Sequence, residues 1–493
     1  MSSFSVDVLA FVACGLHKSN DKEEINTVMS TLTGVLKRQA RILDALAYIS
    51  VSFAEKQVVA VGMQIFPEKT VIHVAENGGL APEILPYLKD LFRRLQILHE
   101  RRPNQQRSQV VPDYVDFRTT DPFEQELVEF EQEILQFCWN KQKQRLMKNS
   151  RATNLMNIVD EVCGTPAAQR TDLSEVETEC LAGLQASPEF DRVQLEELGR
   201  TIGDLVTTLA LPPTSTGALQ LRTFLAAIAD ICENFRQKVE FVLLWNGYTE
   251  LFVKRTTTKM VSKAPDVLHW LSKVTVIRKH CLRLADVATS TTLSTFLLNN
   301  FEIKAVANSV QQMSHSLSFQ TLKSILAAAG CDMDEDPESA GEFLEMLAKV
   351  HDGGNLVTRA STPIHCECIL LSCLHGQSYI PYIGVSKLSC GFCSDYFAAY
   401  REATTSPVCT RGTHGQTASW RCPPLDATLN AELNSRLSSK ILTRIKKGWE
   451  QRRPSSLSSQ STDASGEGGR TRAAGVLASN LKYHRRNMGT EGG

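Results

Sequence analysis

The chain has 493 residues, enough for two or three domains or for one domain with a large insertion. Its 53 basic and 54 acidic residues leave a formal charge of -1, and 42% apolar with 22% charged residues is an ordinary soluble composition. These values exclude a polycation, so any nucleic-acid footprint has to be local, and no apolar run approaches the ~18 residues that a membrane helix requires.

The opening, MSSFSVDVLAFVACGLHK, has a short apolar stretch with no basic segment before it. It reads as a first helix (1–23) packed on the body rather than a secretory signal. An intracellular protein, cytoplasmic or nuclear, with reduced thiols is the expectation. Residues 26–54 repeat apolar positions at three and four (Val28, Leu32, Val35, Leu36, Ile42, Leu46, Ile49, Phe53), which predicts a long amphipathic helix. QVVAVGMQIF at 57–66 and VIHVAENGG at 71–79 flank a polar link containing a proline, and predict a β-hairpin. Helix and hairpin together make up segment 24–82.

Residues 83–350 read as nearly all helix, including TLSTFLLNNFEIKAVANSVQQMSHSLSF, with breaks at LPPTST and DMDEDPES. The block shows no catalytic motif and no solenoid period, and is expected to be a scaffold, a lid or a docking surface for a protein partner. The texture changes in 351–430. Residues 365–375 suit a helix, YIPYIGVS a strand, Cys390 to about Glu402 a second helix, and PVCTRGTHG a short strand and loop. In 431–453 the residues Leu437, Ile441, Ile445 and Trp449 recur every four positions with basic residues between them, an amphipathic helix. From Asn430 onward 12 Lys/Arg stand against 5 Asp/Glu. That segment can pack on the body with its charges solvated, or lie along phosphates or an anionic membrane. Residues 454–493 are rich in Ser, Gly and Arg and read as a disordered tail.

PIHCECILLSCLHGQSYIPYIGVSKLSCGFCSDYF, from residue 363 onward, concentrates five of the 14 cysteines. His365-Cys366-Glu367 and Cys390-Gly391-Phe392-Cys393 each open an expected helix, with a strand between them. A Cys-x-x-Cys at a helix start offers two thiols from one turn, and the helix end lowers their pKa. His365 supplies a third ligand from the other helix start. Zinc takes such ligands in tetrahedral array, and a catalytic zinc keeps one position for water. Glu367, two residues past the histidine, can face that water and carry its proton to a leaving group. The H-x-E … C-x-x-C pattern is the grammar of zinc nucleobase deaminases.

His-Cys-Glu, YIGVSKLSCGFCSDYF and TRGTHG together resemble the deaminase domain of a toxin-related, zinc-dependent family expanded in fungi, over about residues 363–424. The resemblance implies a cytidine-deaminase-like three-layer α/β sandwich. It also implies His365, Cys390 and Cys393 as zinc ligands, Glu367 as proton shuttle, and a nucleobase-containing substrate that the motif does not choose. Ser389 stands where many deaminases have proline, but serine caps a helix equally well.

Other readings stay open. Cys390-x-x-Cys393 alone is also a thioredoxin-like pair. Cys366, Cys368, Cys409 or Cys422 could close the site as a fourth ligand, leaving a structural zinc in a non-catalytic interaction protein. Cys366, Cys368 and Cys373 can simply fill a core, and His375 can cap a helix end. Arg411, His414 and Trp420 can line a substrate pocket, through phosphate binding or stacking, or be ordinary loop residues. Asn77 can hold a ribose or base, or mark a turn. A deaminase sheet needs a helix and a hairpin before His365, and 351–364 is too short to supply them. Strands 57–76 should therefore join the sheet of 379–386, with 83–350 as an all-α insertion whose closure cost rises only logarithmically with length.

Overall fold

A computed structural model describes residues 4–16, 31–53, 57–102, 115–256, 266–290, 293–294, 300–308, 310–316, 319–331, 357–424 and 427–451. The expected tail 454–493 lies outside these residues. The chain divides into two compact units: Met1–Lys141 with Ile277–Pro454, and, among the described residues, Gln142–Val276.

The first unit is built on a five-stranded sheet in the order β3-β2-β1-β6-β7. β1 (Val59–Ile65) and β2 (Thr70–Glu76) form the expected hairpin. β1 then pairs antiparallel with β6 (Tyr382–Val385), Ala60 opposite Val385 and Val61 opposite Gly384. The hairpin and the strand before the Cys-x-x-Cys thus share one sheet, although more than 300 residues separate them. β7 (Cys409–Thr410) lies parallel to β6.

Residues 83–350 are not all helix. β3 (Phe301–Ala305) lies parallel to β2, and β4 (Val310–Ser316) pairs with β5 (Val357–Pro363) in a separate two-stranded sheet. The stretch read as helical contains F-E-I-K-A, which alternates with period two. Ile303 points inward between exposed Lys304 and half-buried Glu302, and such a pleat wins where a sheet edge is waiting for it.

α1 (Val6–Leu16) and α2 (Gly34–Ile49) precede the sheet. α2 is shorter than the expected 26–54: residues 26–30 lie outside the described chain, Thr31–Thr33 form a turn and non-helical link, and the helix ends at Ser50. Pleating puts α2 and the His-x-Glu helix on opposite sheet faces. A Cβ on Gly384 would lie 2.2 Å from the Leu43 backbone, so α2 rests on that face. Gly62 follows Val61, the partner of Gly384, and so points the other way, where a Cβ would meet Leu374 and Leu370 of α13 (Cys366–Leu374).

α2 also carries a buried acid into this contact. Asp44 accepts from the Tyr382 hydroxyl at 2.9 Å and from the Val385 N–H at 3.2 Å. Burial pushes its pKa up to about 6, against the opposing pull of Arg411 and of these hydrogen bonds. Beyond α3 (Ile84–Arg101) and α4 (Pro122–Phe137), α5 (Trp139–Met147) buries Lys141. Its Nζ donates to the Tyr48 carbonyl at 2.5 Å and lies 3.5 Å from the centre of that ring, and burial pulls its pKa down to about 7.

The second unit is helical. α6 (Arg151–Cys163), α7 (Glu175–Gln185), α8 (Arg192–Ala210), α9 (Ser215–Arg236) and α10 (Val239–Thr256) pack side by side, α8 against α6 and α9, and α10 against α7. Ser174 and Glu177 close a capping box at the start of α7, and Phe235, Phe241 and Trp245 form an aromatic cluster. α11 (Val267–Thr289) returns the chain to the first unit, which also holds α12 (Phe319–Ala328). Among the described residues no helix is long and apolar enough to cross a membrane.

Candidate metal centre

Two helix N-termini meet on the sheet face opposite α2. His365 is the N-cap of α13 and Cys390 the N-cap of α14 (Gly391–Thr404), both with extended backbone; the Cys390 sulfur accepts from the Cys393 N–H. His365, Cys390 and Cys393 are buried, and their ligand atoms all lie within 4.8 Å of one another. The His365 Nδ1 stands 3.2 Å from Cys393 Sγ and 3.5 Å from Cys390 Sγ, and the two sulfurs are 3.5 Å apart.

These separations fit a metal. With Zn–S near 2.3 Å and Zn–N near 2.05 Å, a tetrahedron has edges of about 3.8 Å between sulfurs and about 3.6 Å between sulfur and nitrogen. The three donors stand slightly inside those edges, so a modest outward relaxation seats the ion. The far ring nitrogen, Nε2, lies 3.0 Å from the Ser419 carbonyl. A carbonyl can only accept, so the proton sits on Nε2 and the Nδ1 lone pair is left facing the sulfurs.

The electrostatics support the same donor set. Burial raises the Cys390 thiol, but the hydrogen bonds from Cys393 and the charge of His365 reverse this and hold it well below the ordinary range. Burial and the neighbouring thiols of Cys368 and Cys390 push Cys393 up. Burial disfavours imidazolium at His365, yet the Cys390 thiolate and Glu367 overcome it and lift its pKa to about 9.

Glu367 is 3% exposed, and among the described residues its one side-chain hydrogen-bond donor is the Cys366 thiol at 3.5 Å. A carboxylate so poorly satisfied and so deeply buried is costly. Asn77 follows β2, and its Oδ1 accepts from the Cys366 N–H at 2.6 Å, capping α13 from the hairpin. The side chain of Asn308 ties the Glu76 and Ile364 carbonyls beside it.

Arg411, His414 and Trp420 each have a partner of their own. Arg411 sits near Asp44, on the α2 face of the sheet, where it offsets a buried charge. His414 Nδ1 accepts from the Gln416 N–H and the His414 main-chain N–H donates to the Ser389 carbonyl, closing the loop that abuts Cys390. Trp420 is 3% exposed and packs on Phe392 and Tyr396, so its ring fills the core instead of offering a stacking face. His375 ends α13 with its Nδ1 2.9 Å from the Tyr400 hydroxyl. The Ser419 carbonyl left no signal in the sequence, because a main-chain acceptor has no residue type. None of the 14 cysteines is in a disulfide.

A mixed α/β unit carrying a buried His/Cys/Cys metal-type cluster is the class that fold and site define. Residues 364–424, which hold the whole cluster, match the model of a deaminase-like family, OTT_1508_deam. No curated protein and no solved structure matches the chain.

Proposed function

We infer that the protein is a zinc-dependent hydrolytic deaminase of a nucleobase-containing substrate, built as a cytidine-deaminase-like three-layer sandwich. The observation that carries this reading is Glu367, a buried carboxylate with a single weak donor, beside a donor triad of zinc dimensions. A structural site has no use for such a group. Bound zinc would supply the Lewis acidity that makes water nucleophilic near neutral pH. His365, Cys390 and Cys393 would hold it, with His365 oriented by Ser419. Glu367 takes the proton of the attacking water and delivers it to the departing ring amino nitrogen, which leaves as ammonia. Asn77 fixes the start of α13, and its Nδ2 would donate to the substrate.

The substrate is more readily a nucleoside or nucleotide than a long nucleic acid. On α15 (Ala427–Glu450), Arg436 and Lys440 pair with Glu402, and Arg444 pairs with Asp395, so these charges are directed at α14 rather than at phosphates.

The test measures zinc content, and ammonia release from cytidine, adenosine, guanine, single-stranded DNA and RNA. Glu367→Gln should keep fold and zinc while turnover falls roughly a hundredfold or more. A variant as active as the parent would remove Glu367 from the chemistry.

One observation favours the alternative, a non-catalytic interaction protein with a structural zinc: the Cys368 thiol lies against Cys393 and could serve as a fourth ligand. Cys368→Ser separates the two. The deaminase keeps its zinc, whereas a closed four-ligand site loses it.

A further inference from the structure

The end of the Cys390–Cys393 turn is held by a residue from outside the matched segment 364–424. Arg444, on α15, sets its guanidinium against both carboxylate oxygens of Asp395, with Nη2 3.1 Å from Oδ1. The pair is largely shielded, with side chains 11% and 15% exposed. From this anchored position Nη2 donates to the Gly391 carbonyl and Nη1 to the Gly415 carbonyl, each at 3.4 Å. Gly391 is the residue after Cys390, and its N–H bonds the Gln416 carbonyl at 2.8 Å. One planar fork therefore clamps the metal-binding turn to the 412–416 loop. The fit leaves no room: a Cβ on Gly391 would fall 2.7 Å from the Gly415 oxygen and 2.9 Å from Arg444 Nη1.

We propose that Arg444, anchored by Asp395, is a positioning residue for the metal centre, setting the Cys390–Cys393 geometry from α15. The inference rests on the metal reading of the triad. A lysine could keep the charge but not the fork, which needs two donor edges in one plane. Residues that orient ligands from behind typically change metal affinity ten- to a hundredfold.

The experiment uses the full chain and compares wild type with R444K, R444M, D395N and the double variant R444M/D395L, which leaves no orphaned charge. Zinc affinity is read by competition with a chromophoric chelator. Ligand geometry is read from the thiolate bands of the cobalt(II)-loaded protein, and fold from circular dichroism and melting of the metal-free protein. R444M and the double variant should bind zinc roughly ten- to a hundredfold more weakly, with shifted cobalt bands and near-parental metal-free melting; R444K should fall between. Folded variants that bind zinc as tightly as wild type would overturn the proposal, as would weakening that merely follows a loss of metal-free stability. A wild type that takes up no zinc, or a C390S variant that takes up as much, would instead remove the metal reading on which the proposal stands.

Discussion

At the scale of single residues, two glycines and two buried charges carry consequences that can be measured. Gly384 faces main chain and Gly62 faces leucine side chains, so the same substitution should have unequal effects. Gly384→Ala has to push α2 off the sheet and should cost at least about 3 kcal/mol in denaturant unfolding, while Gly62→Ala, met by side chains that can rotate, should cost about 1 kcal/mol. Equal losses would contradict the contact. Asp44 has a folded pKa of about 6, above the ordinary carboxylate value, so the native state binds its proton more tightly than the unfolded chain does. Its contribution is present at low pH and is lost as pH rises from about 4 through 6, an effect of up to about 3 kcal/mol. Lys141, at about 7, runs the other way: the unfolded chain holds that proton longer, so stability is regained between about pH 7 and 10. Asp44→Asn should flatten the first limb of a stability–pH curve and Lys141→Met the second. Limbs that survive both substitutions would assign the pH dependence to other groups.

At the scale of elements, the His/Cys/Cys cluster was legible and its frame partly so. His-x-Glu, Cys-x-x-Cys and the hairpin were readable because each is local: spacing within one turn, or alternation within one strand. Asp44 is visible in the sequence as an acid inside the apolar run ILDALAYI. For Arg411 and Trp420 side-chain chemistry leaves a pocket role and an ordinary loop role equally open. The face each ring or guanidinium occupies depends on β7 register and loop packing, which one-dimensional patterning does not encode. β3 was hidden in a helix-like apolar background, since a five-residue strand added to an existing edge needs little intrinsic preference. α15 was legible as amphipathic, and Leu433, Leu437, Ile441, Ile445 and Trp449 are all buried. Gly448 lets it approach α1, where a Cβ would lie 2.9 Å from that of Leu16. Ile441→Ala should therefore lower stability by about 2–5 kcal/mol in chemical denaturation. A change below about 1 kcal/mol would show α15 to be an appendage and would leave Arg444 without a rigid mount.

At the scale of the whole molecule, the sheet joins parts of the chain that are made at different times. On a ribosome adding roughly 5–20 residues per second, β1 emerges about 320 residues before its partner β6, an interval of about 15 s to a minute. Throughout that interval one edge of a largely apolar strand has no neighbour, which is the condition under which strands recruit strangers. The helical unit 142–276 is completed meanwhile and can fold from local contacts. A chain halted after residue 378 should therefore contain a protease-resistant 142–276 fragment alongside a cleavable hairpin, and should aggregate unless the hairpin is removed; full-length chain should protect both. Resistance of the hairpin in the halted chain would mean that β1 finds shelter without β6. Otherwise the sheet that carries the His/Cys/Cys cluster is committed only near the end of synthesis, and its yield in a cell is set by elongation rate and chaperone supply as much as by thermodynamic stability.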